Sequence, residues 1–463
     1  MSTALEAAIA ANRFGLGARP GELEHFASGA RDALLDQLRH PSSFVDGTLR
    51  PSEKVLAQAI ELREQRRKAG DDDAAALVQV ALKLRQLYRP VYIDEALARF
   101  RYGVASDRSF TERLVQFWSN HFAVSIDKVV VLGLAGAMER EAIRPNILGN
   151  FSELLLAVEQ HPAMLLYLDN HISIGPNSRA ARFVAKRGAG RVLGLNENLG
   201  REILELHTLG VDGGYSQTDV TSFAAILTGW SIGGNSGRLR GGEPGKFFFR
   251  DTFHEPGTKS LLGKSYRQDG FEQGERALRD VALSPRTAKH LATKLARHFI
   301  ADEPTDAMVE PLARAYLKSD GDLPSVYRAL IALPQAWAQP LAKFKTPSDY
   351  IFSSYRALGL PIDDARRGLL PFELLGQRTF QPGSPAGWPD RSADWDGSSA
   401  LLKRLEWADA VGQRIGSRSN AAQLADAVLG ATLNPATRTS LTRAQDGAQA
   451  LTLLLASPEF MRR

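Results

Sequence analysis

A short segment in the middle of the chain places two carboxylates, an amide and a guanidinium at helical spacing. Asn198, Glu202 and Glu205 stand at positions i, i+4 and i+7, so one face of a helix carries all three side chains. Arg201 lies at the edge of that face. Two carboxylates one turn apart can hold a metal ion together, or repel so that one keeps its proton at neutral pH. The spacing therefore predicts Glu202, Glu205 and Arg201 as catalytic residues.

Two histidines extend this candidate site. His121 stands in the aromatic segment FWSNHF, where it is a further catalytic candidate, and His254 lies beside Glu255 on a predicted turn. With Glu202 and Glu205 they form a mixed imidazole and carboxylate ligand set, which suits Zn, Fe, Mn or Cu better than Mg or Ca. None of the familiar metal-binding spacings occurs in the sequence, so these ligands would have to meet in space. The cofactor stays open, with a transition metal as the hypothesis.

The same residues support two other interpretations. Without a metal, Glu202 or Glu205 would carry a proton, and Arg201 would bind an anionic group of the substrate. A structural alternative pairs Arg201 with Glu205 in a salt bridge on a solvated helix face. Polar and aromatic residues of the neighbouring segments are predicted to contact a substrate: Asn198, Asp169, Trp230 and Lys259.

The composition excludes several classes of chemistry. The chain has 463 residues, 44% of them hydrophobic and 24% charged, as in an ordinary globular protein. It contains no cysteine, which excludes disulfides, thiolate nucleophiles, zinc ribbons and iron–sulfur clusters.

The charge and hydropathy patterns limit the classes of partner and the location that we expect. The net charge of +5 is mild for this length, and the one dense basic run, REQRRK at 63–68, has acidic neighbours. No nucleic-acid partner is therefore expected. No segment reaches the roughly 18 to 20 apolar residues of a membrane-spanning helix, and no signal peptide is seen. A cytoplasmic location is the default expectation, a periplasmic one stays possible, and the oligomeric state stays open.

The elements that position these residues are helices. Apolar residues recur at three- and four-residue spacing through most of the chain, which predicts amphipathic helices, with Ser109 and Ser216 at two of their starts. Strand-like runs at 246–249 and 260–266, joined through a Pro-Gly turn, predict a β-hairpin. The predicted fold class is mainly α, a large helical globular protein with one small β-hairpin in its middle third.

Several phrases in a fixed order carry a family resemblance. They are AANRFGLGARPGEL, FWSNHFAVS, NENLGREILELHTLG, YSQTDV with TGW, HEPGTK, HLATKLARHF, KTPSDYIFSSYRALG, GQRTFQPGSPAGWP and LASPEF. Over essentially its whole length, the chain resembles the bacterial family catalogued as domain of unknown function 1800.

The resemblance implies an organisation but no activity, because the family has no agreed reaction or cofactor. It implies one continuous helical domain over 1–463, with N-terminal helices at 1–142, a central site-bearing region at 143–350 and C-terminal helices at 351–463. The C-terminal part includes a Pro-, Gly- and Trp-rich loop at 376–397. Family members usually have an aromatic residue in place of His207, which argues against an essential role for that histidine.

Three functions follow from these observations. The first is an enzyme whose site gathers the Glu202 helix, His121 and His254, with hydrolytic or redox chemistry at a bound metal. The second is a binding or assembly protein whose arginines between 179 and 191 meet an anionic partner, without catalysis. The third is a helical scaffold without a small ligand. Convergence of the polar residues on an open cavity would favour the enzyme.

Overall fold

The computed structural model describes residues 2–39, 44, 46–68, 74–186, 194–234 and 240–463. Within these residues the chain is mainly helical, which confirms the predicted fold class. Its earlier helices are α1 (Thr3–Ile9), α2 (Glu22–Ala27), α3 (Ala30–Gln37), α4 (Ser52–Lys68), α5 (Ala74–Ala105), α6 (Ser109–His121), α7 (Ala135–Met138), α8 (Phe151–Gln160), α9 (Pro162–Tyr167), α10 (Arg179–Lys186), α11 (Asn198–Glu202) and α12 (Gln217–Ile226).

The later helices follow the strands. They are α13 (Phe271–Ala282), α14 (Pro285–Phe299), α15 (Asp306–Lys318), α16 (Leu323–Ala332), α17 (Gln335–Ala338), α18 (Pro347–Leu358), α19 (Ala365–Leu374), α20 (Ser398–Ile415), α21 (Ala421–Leu429), α22 (Pro435–Thr442), α23 (Gly447–Leu455) and α24 (Pro458–Met461). Short π-helical turns occur at Ala10–Phe14, Glu139–Ile143 and Ile203–His207.

Four short strands form two separate antiparallel pairs. They are β1 (Trp230–Ile232), β2 (Phe247–Phe249), β3 (Lys259–Leu261) and β4 (Lys264–Tyr266). β1 pairs with β2 and β3 with β4, so the predicted pairing of 246–249 with 260–266 is wrong. Leu262 and Gly263 adopt φ angles of 50° and 76°, and positive φ at both positions is what a two-residue type I′ turn requires. The second predicted strand therefore folds back on itself, and the first pairs with the residues that follow α12.

The two predicted helix starts have different outcomes. Ser216 caps α12 as predicted, because its hydroxyl accepts a hydrogen bond from Asp219 N while the Asp219 carboxylate accepts one from Ser216 N. Ser109 is the first residue of α6 rather than its cap, which is Arg108. Ser109 is buried against Gly15, so its side chain serves packing instead of capping.

One continuous hydrophobic cluster, running in sequence from Ala7 to Met461, fills the interior. Trp118 lies in its centre and donates a hydrogen bond of 2.6 Å from Nε1 to Tyr327 Oη. Tyr327 Oη in turn donates to Ile147 O at 3.0 Å. These buried bonds fix α6 against α16. No described helix is both long and apolar enough to cross a membrane.

A buried ion network joins three distant parts of the chain. Asp349, in α18, accepts hydrogen bonds from Arg113 Nη1 at 2.8 Å and from Arg463 Nε at 2.9 Å, and all three side chains are buried. Burial alone would raise the pKa of Asp349, but the two guanidiniums lower it well below its ordinary value. The carboxylate is therefore ionised in the folded protein and holds α6, α18 and residue 463 together.

We expect Asp349→Asn to lower the free energy of unfolding by about 3–5 kcal/mol, because it removes the counter-charge of the buried Arg113 guanidinium and the nearer of the two carboxylates beside Arg463. Urea denaturation monitored by circular dichroism measures the loss. Asp426→Asn is the matched control, since Asp426 pairs with Arg438 where both side chains are about half exposed. That variant should lose less than about 1 kcal/mol, and equal losses in the two variants would contradict the role of the network.

Candidate functional site

A cavity of about 330 Å³ lies between α6, α14, the start of α18 and the 376–397 loop. Cations dominate its charged lining, which consists of Arg99, Arg113, Lys294, Arg297, Arg378 and Arg391 against Asp349, Asp390 and Asp394. Its apolar lining includes Val124, Met138 and the rings of Phe117, Phe372, Phe380 and Trp388. A concave site of this size, apolar with a few charged groups, is typical for a small organic ligand.

Helix α6 contributes one stripe of side chains to the cavity. Arg113, Gln116, Phe117, Asn120 and His121 recur at i, i+3, i+4, i+7 and i+8, and all five line it. The opposite face of α6 is packed in the core. The helix therefore presents its polar side to the cavity and ends at His121, beside the cavity wall.

Helix α14 contributes two of these cations, Lys294 and Arg297, together with His298. It begins at Pro285, after Ser284, whose hydroxyl accepts a hydrogen bond from Arg286 N. Its core face is apolar and consists of Ala288, Leu291, Ala292, Leu295, Ala296 and Phe299. Lys294, Arg297 and His298 follow the i, i+3, i+4 spacing and line the cavity together. Basic side chains in the last turn also interact favourably with the helix dipole.

The 376–397 loop forms the facing wall and is attached to α6 through Asn120. Asn120 Oδ1 accepts a hydrogen bond from Trp388 N at 2.7 Å, and Asn120 Nδ2 donates to Trp388 O at 2.9 Å. Gly387, the preceding residue, has a φ of 83°, and a Cβ atom there would lie 2.3 Å from Asn120 O. Only glycine satisfies both the backbone conformation and the close approach.

Asp390 attaches the same loop to α14. Its Oδ2 atom is hydrogen-bonded to His298 Nδ1 at 2.9 Å, while Arg463 Nη2 and Lys343 Nζ lie 3.8 and 3.9 Å from Oδ1. Lys343 Nζ also donates to the Asp390 carbonyl at 2.6 Å. Burial would raise the pKa of Asp390, but His298, Lys343 and Arg463 together lower it below its ordinary value.

The cations of the lining divide into two groups. Arg99, Arg113 and Arg391 each form an ion pair with a carboxylate, contributed by Glu139, Asp349 and Glu303 respectively. Lys294, Arg297 and Arg378 have no carboxylate within ion-pair distance among the described residues. The cavity therefore carries unneutralised positive charge.

Lys294 is the most unusual member of this group. Its amine has neither a hydrogen bond nor an ion pair within the described parts of the chain, although the residue is half-buried. Burial lowers the pKa of Lys294 to about 8, an effect that Asp390 opposes and Arg297 reinforces. An ordinary lysine amine has a pKa near 10.4, so this one exchanges its proton much closer to neutral pH.

A cluster of imidazoles lies at and behind the cavity wall formed by His121. His121 Nε2 is 3.1 Å from His207 O, and its ring centroid lies 6.1 and 6.3 Å from those of His207 and His290. Burial lowers the pKa of His121 well below its ordinary value and that of His290 to about 4. His207 Nδ1 contacts Glu159 Oε1 at 2.8 Å, and both side chains are fully buried.

The predicted catalytic glutamates lie on α11 and the π-helical turn that follows it. Glu202 is half-buried; burial raises its pKa, while His207 opposes this shift and Glu205 adds to it. Glu205 forms a side-chain hydrogen bond with Tyr215. Neither glutamate lines the cavity, although His121 contacts the carbonyl of His207 in the same turn.

The predicted partner of Arg201 differs from the one observed. Arg201 Nη2 lies 3.0 Å from Glu197 Oε2, one turn before it, and donates to Gln217 at 3.1 Å. The expected salt bridge with Glu205 is therefore replaced by one with Glu197. Asn198, at the start of α11, is exposed.

The other predicted site residues lie outside the cavity lining. Asp169 adopts a φ of 58° and pairs with Lys128 at 2.6 Å. Trp230 is fully buried in β1. Lys259 is buried and donates from Nζ to the carbonyls of its own turn, Glu255 and Gly257.

His254 is buried as well, although a turn histidine is more often exposed. Its Nδ1 atom contacts Thr228 O at 2.9 Å, and burial lowers its pKa. Across the described ranges, no three His, Asp or Glu side chains stand close enough together to hold one metal ion. The ligand set of His121, Glu202, Glu205 and His254 stays a prediction from the sequence.

Sequence reasoning missed Lys294, Arg297 and His298. They belong to the family phrase HLATKLARHF, where they share one face of an amphipathic helix. That spacing was the available signal. Sequence reasoning could not predict that Asp390 of the loop contacts His298, because the two residues lie 92 positions apart in the chain.

The fold and the cavity together define a large helical protein with an internal cation-lined cavity. The chain belongs to the family described as a protein of unknown function (DUF1800), whose model matches residues 9–462. This match confirms the resemblance seen in the sequence. No curated protein and no solved structure matches the chain.

We expect Gly387→Ala to loosen the loop wall, because alanine disfavours positive φ by about 1–2 kcal/mol and its Cβ would collide with Asn120. Hydrogen–deuterium exchange over 376–397 should become faster. Gly383→Ala is the matched control in the same loop, since a Cβ at Gly383 meets nothing within 4 Å. Unchanged exchange in Gly387→Ala, or equal acceleration in both variants, would contradict this account of the wall.

Proposed function

We propose that the protein binds a small organic anion in the cavity between α6, α14 and the 376–397 loop. The observation that carries the proposal is the amine of Lys294, which lines the cavity without a described hydrogen-bond or ion-pair partner. Lys294 is half-buried, so its protonated amine is partly withdrawn from water and gains from an opposite charge beside it. A bound carboxylate or phosphate would supply that charge.

The neighbouring cations support the same class of ligand. Arg297 lies one turn after Lys294 on α14, and Arg378 lines the cavity from the loop. Arg378 contacts the Tyr92 hydroxyl, and Arg297 donates from Nε to Asp302 O, so neither guanidinium is neutralised by a carboxylate. Guanidinium groups bind carboxylate and phosphate oxygens in a bidentate geometry.

The apolar lining supports a ligand with a hydrophobic body. The rings of Phe117, Phe372, Phe380 and Trp388 share the cavity with the cations. Aromatic walls bury an aryl or alkyl group, while a few charged groups fix its orientation. An arylalkyl carboxylate or an aryl phosphate combines both properties.

Acid–base chemistry on this anion is the reaction that the lining supports. His298 is oriented through Nδ1 by Asp390, and it lies one turn from Lys294 on the same helix face. A carboxylate that fixes one ring nitrogen leaves the other available as a proton carrier. Lys294, with a pKa of about 8, exchanges protons near neutral pH.

The alternative function, recognition of an anionic partner through the arginines of 179–191, has less support. Part of this segment, 187–193, lies outside the described residues. Arg179 is paired with Asp251, which leaves Arg182 and Lys186 as the exposed cations of α10 without a described ion pair. Two surface cations on an eight-residue helix provide little specificity.

The test is equilibrium binding of two probes, 3-phenylpropionate and phenyl phosphate, by isothermal titration calorimetry. Lys294→Met should weaken binding of the preferred probe roughly 10- to 100-fold, the loss expected for one charge-assisted hydrogen bond. The probe with the higher affinity shows whether the cavity prefers a carboxylate or a phosphate.

Lys289→Met is the matched control for this test. Lys289 is exposed on the same helix and does not line the cavity, so its removal lowers the net charge equally. Its affinity should match that of the unmodified protein. Equal weakening in both variants, or no binding of either probe, would contradict the proposed function.

A further inference from the structure

We infer that Lys294 forms an imine with the carbonyl group of a 2-oxo acid bound in the cavity. The inference rests on the proposed function and deepens it, because it names the class of anion and the atom that meets it. The geometry that carries it is an amine without a described partner, next to cations that would bind a carboxylate, inside a partly apolar cavity.

A lysine captures a carbonyl only when its amine carries no proton and no competing contact. Lys294 Nζ makes no described hydrogen bond or ion pair, so no bond must break before it reacts. Lys343 differs in this respect, since its Nζ is bound to Arg297 O, Asp302 and Asp390 O.

The surroundings of Lys294 make its neutral form more accessible than that of an ordinary lysine. Burial and the nearby Arg297 guanidinium disfavour its protonation, and the pKa of about 8 agrees with this environment. A desolvated lysine close to another cation is a recurrent way to activate an amine for Schiff-base chemistry. Asp390 is the carboxylate that opposes this effect, but its oxygens contact His298, Lys343 and Arg463.

The position of the arginines selects a 2-oxo acid among carbonyl compounds. In such a molecule the carboxylate is bonded directly to the carbonyl carbon. Arg297 follows Lys294 by one helical turn, so the two side chains are neighbours on the helix surface. A carboxylate held by Arg297 therefore places the adjacent carbonyl carbon within reach of Nζ.

The step balances without an oxidant or reductant. The lone pair of the Lys294 amine attacks the carbonyl carbon, a C–N bond forms, and the oxygen takes a proton to give a carbinolamine. Loss of that oxygen as water then gives the C=N bond, so one amine and one carbonyl yield one imine and one water molecule. His298, one turn away on the same face, is placed to transfer the protons.

The experiment is reductive trapping on the full chain. Phenylpyruvate with sodium cyanoborohydride converts an imine into a stable secondary amine, which peptide mass spectrometry locates. We expect the adduct on Lys294 ahead of every other lysine, and slower labelling when 3-phenylpropionate is added as a competitor. This arm uses the unmodified protein, so it does not depend on the folding of a variant.

Two variants complete the test. Lys294→Arg keeps the charge and removes the amine, so it should lose the adduct at position 294. Lys289→Arg, on the exposed side of α14, should leave labelling unchanged.

The possible outcomes distinguish the imine from the anion site on which it rests. Binding of 3-phenylpropionate without a Lys294 adduct would overturn the imine and leave the proposed anion site standing. Labelling spread evenly over exposed lysines, unaffected by the competitor, would also overturn the imine. Failure of both 3-phenylpropionate and phenyl phosphate to bind would overturn the proposed function together with the imine.

Discussion

The carboxylate of Asp390, largely but not fully buried where the 376–397 loop meets α14, is the contact on which the cavity depends. It contacts His298, Lys343 and Arg463, which come from three separate segments of the chain. A carboxylate in the interior is stable only when such counter-charges surround it. The same contacts attach the loop to α14 and to the segments that carry Lys343 and Arg463. The cavity wall is therefore held by electrostatics as well as by the Asn120 clamp on Trp388.

This arrangement also explains why the amine of Lys294 has no described carboxylate partner. Asp390 is the carboxylate that acts most strongly on Lys294, yet its oxygens contact other cations. The fold thus builds a buried network in which the charges of Asp349 and Asp390 are balanced, and it leaves the Lys294 amine beside that network without a described partner. An unbalanced cation in a concave, partly aromatic cavity is a binding site in physical terms, since a ligand anion restores the balance.

Local patterns predicted the helical fold, and long-range contacts decided the rest. Helical periodicity and the Ser216 capping box are local, and both are confirmed. The strand pairing was wrong because the turn at 262–263 depends on positive φ, which the pattern of strand residues does not encode. His121 was singled out for its aromatic neighbours and does line the cavity. Lys294 was not singled out. What distinguishes it is that its amine has no described hydrogen bond or ion pair, and contacts between distant residues cannot be predicted from the sequence pattern.

The first experiment should be a crystal structure of the protein soaked with 3-phenylpropionate. We expect its carboxylate in the cavity, with an oxygen about 3 Å from Lys294 Nζ and the phenyl ring among Phe117, Phe380 and Trp388. The 376–397 loop should keep its contacts with α6 and α14. A cavity that stays empty while Lys294 Nζ forms an ion pair with Asp390 would contradict the account, since the amine would then have a partner within the protein.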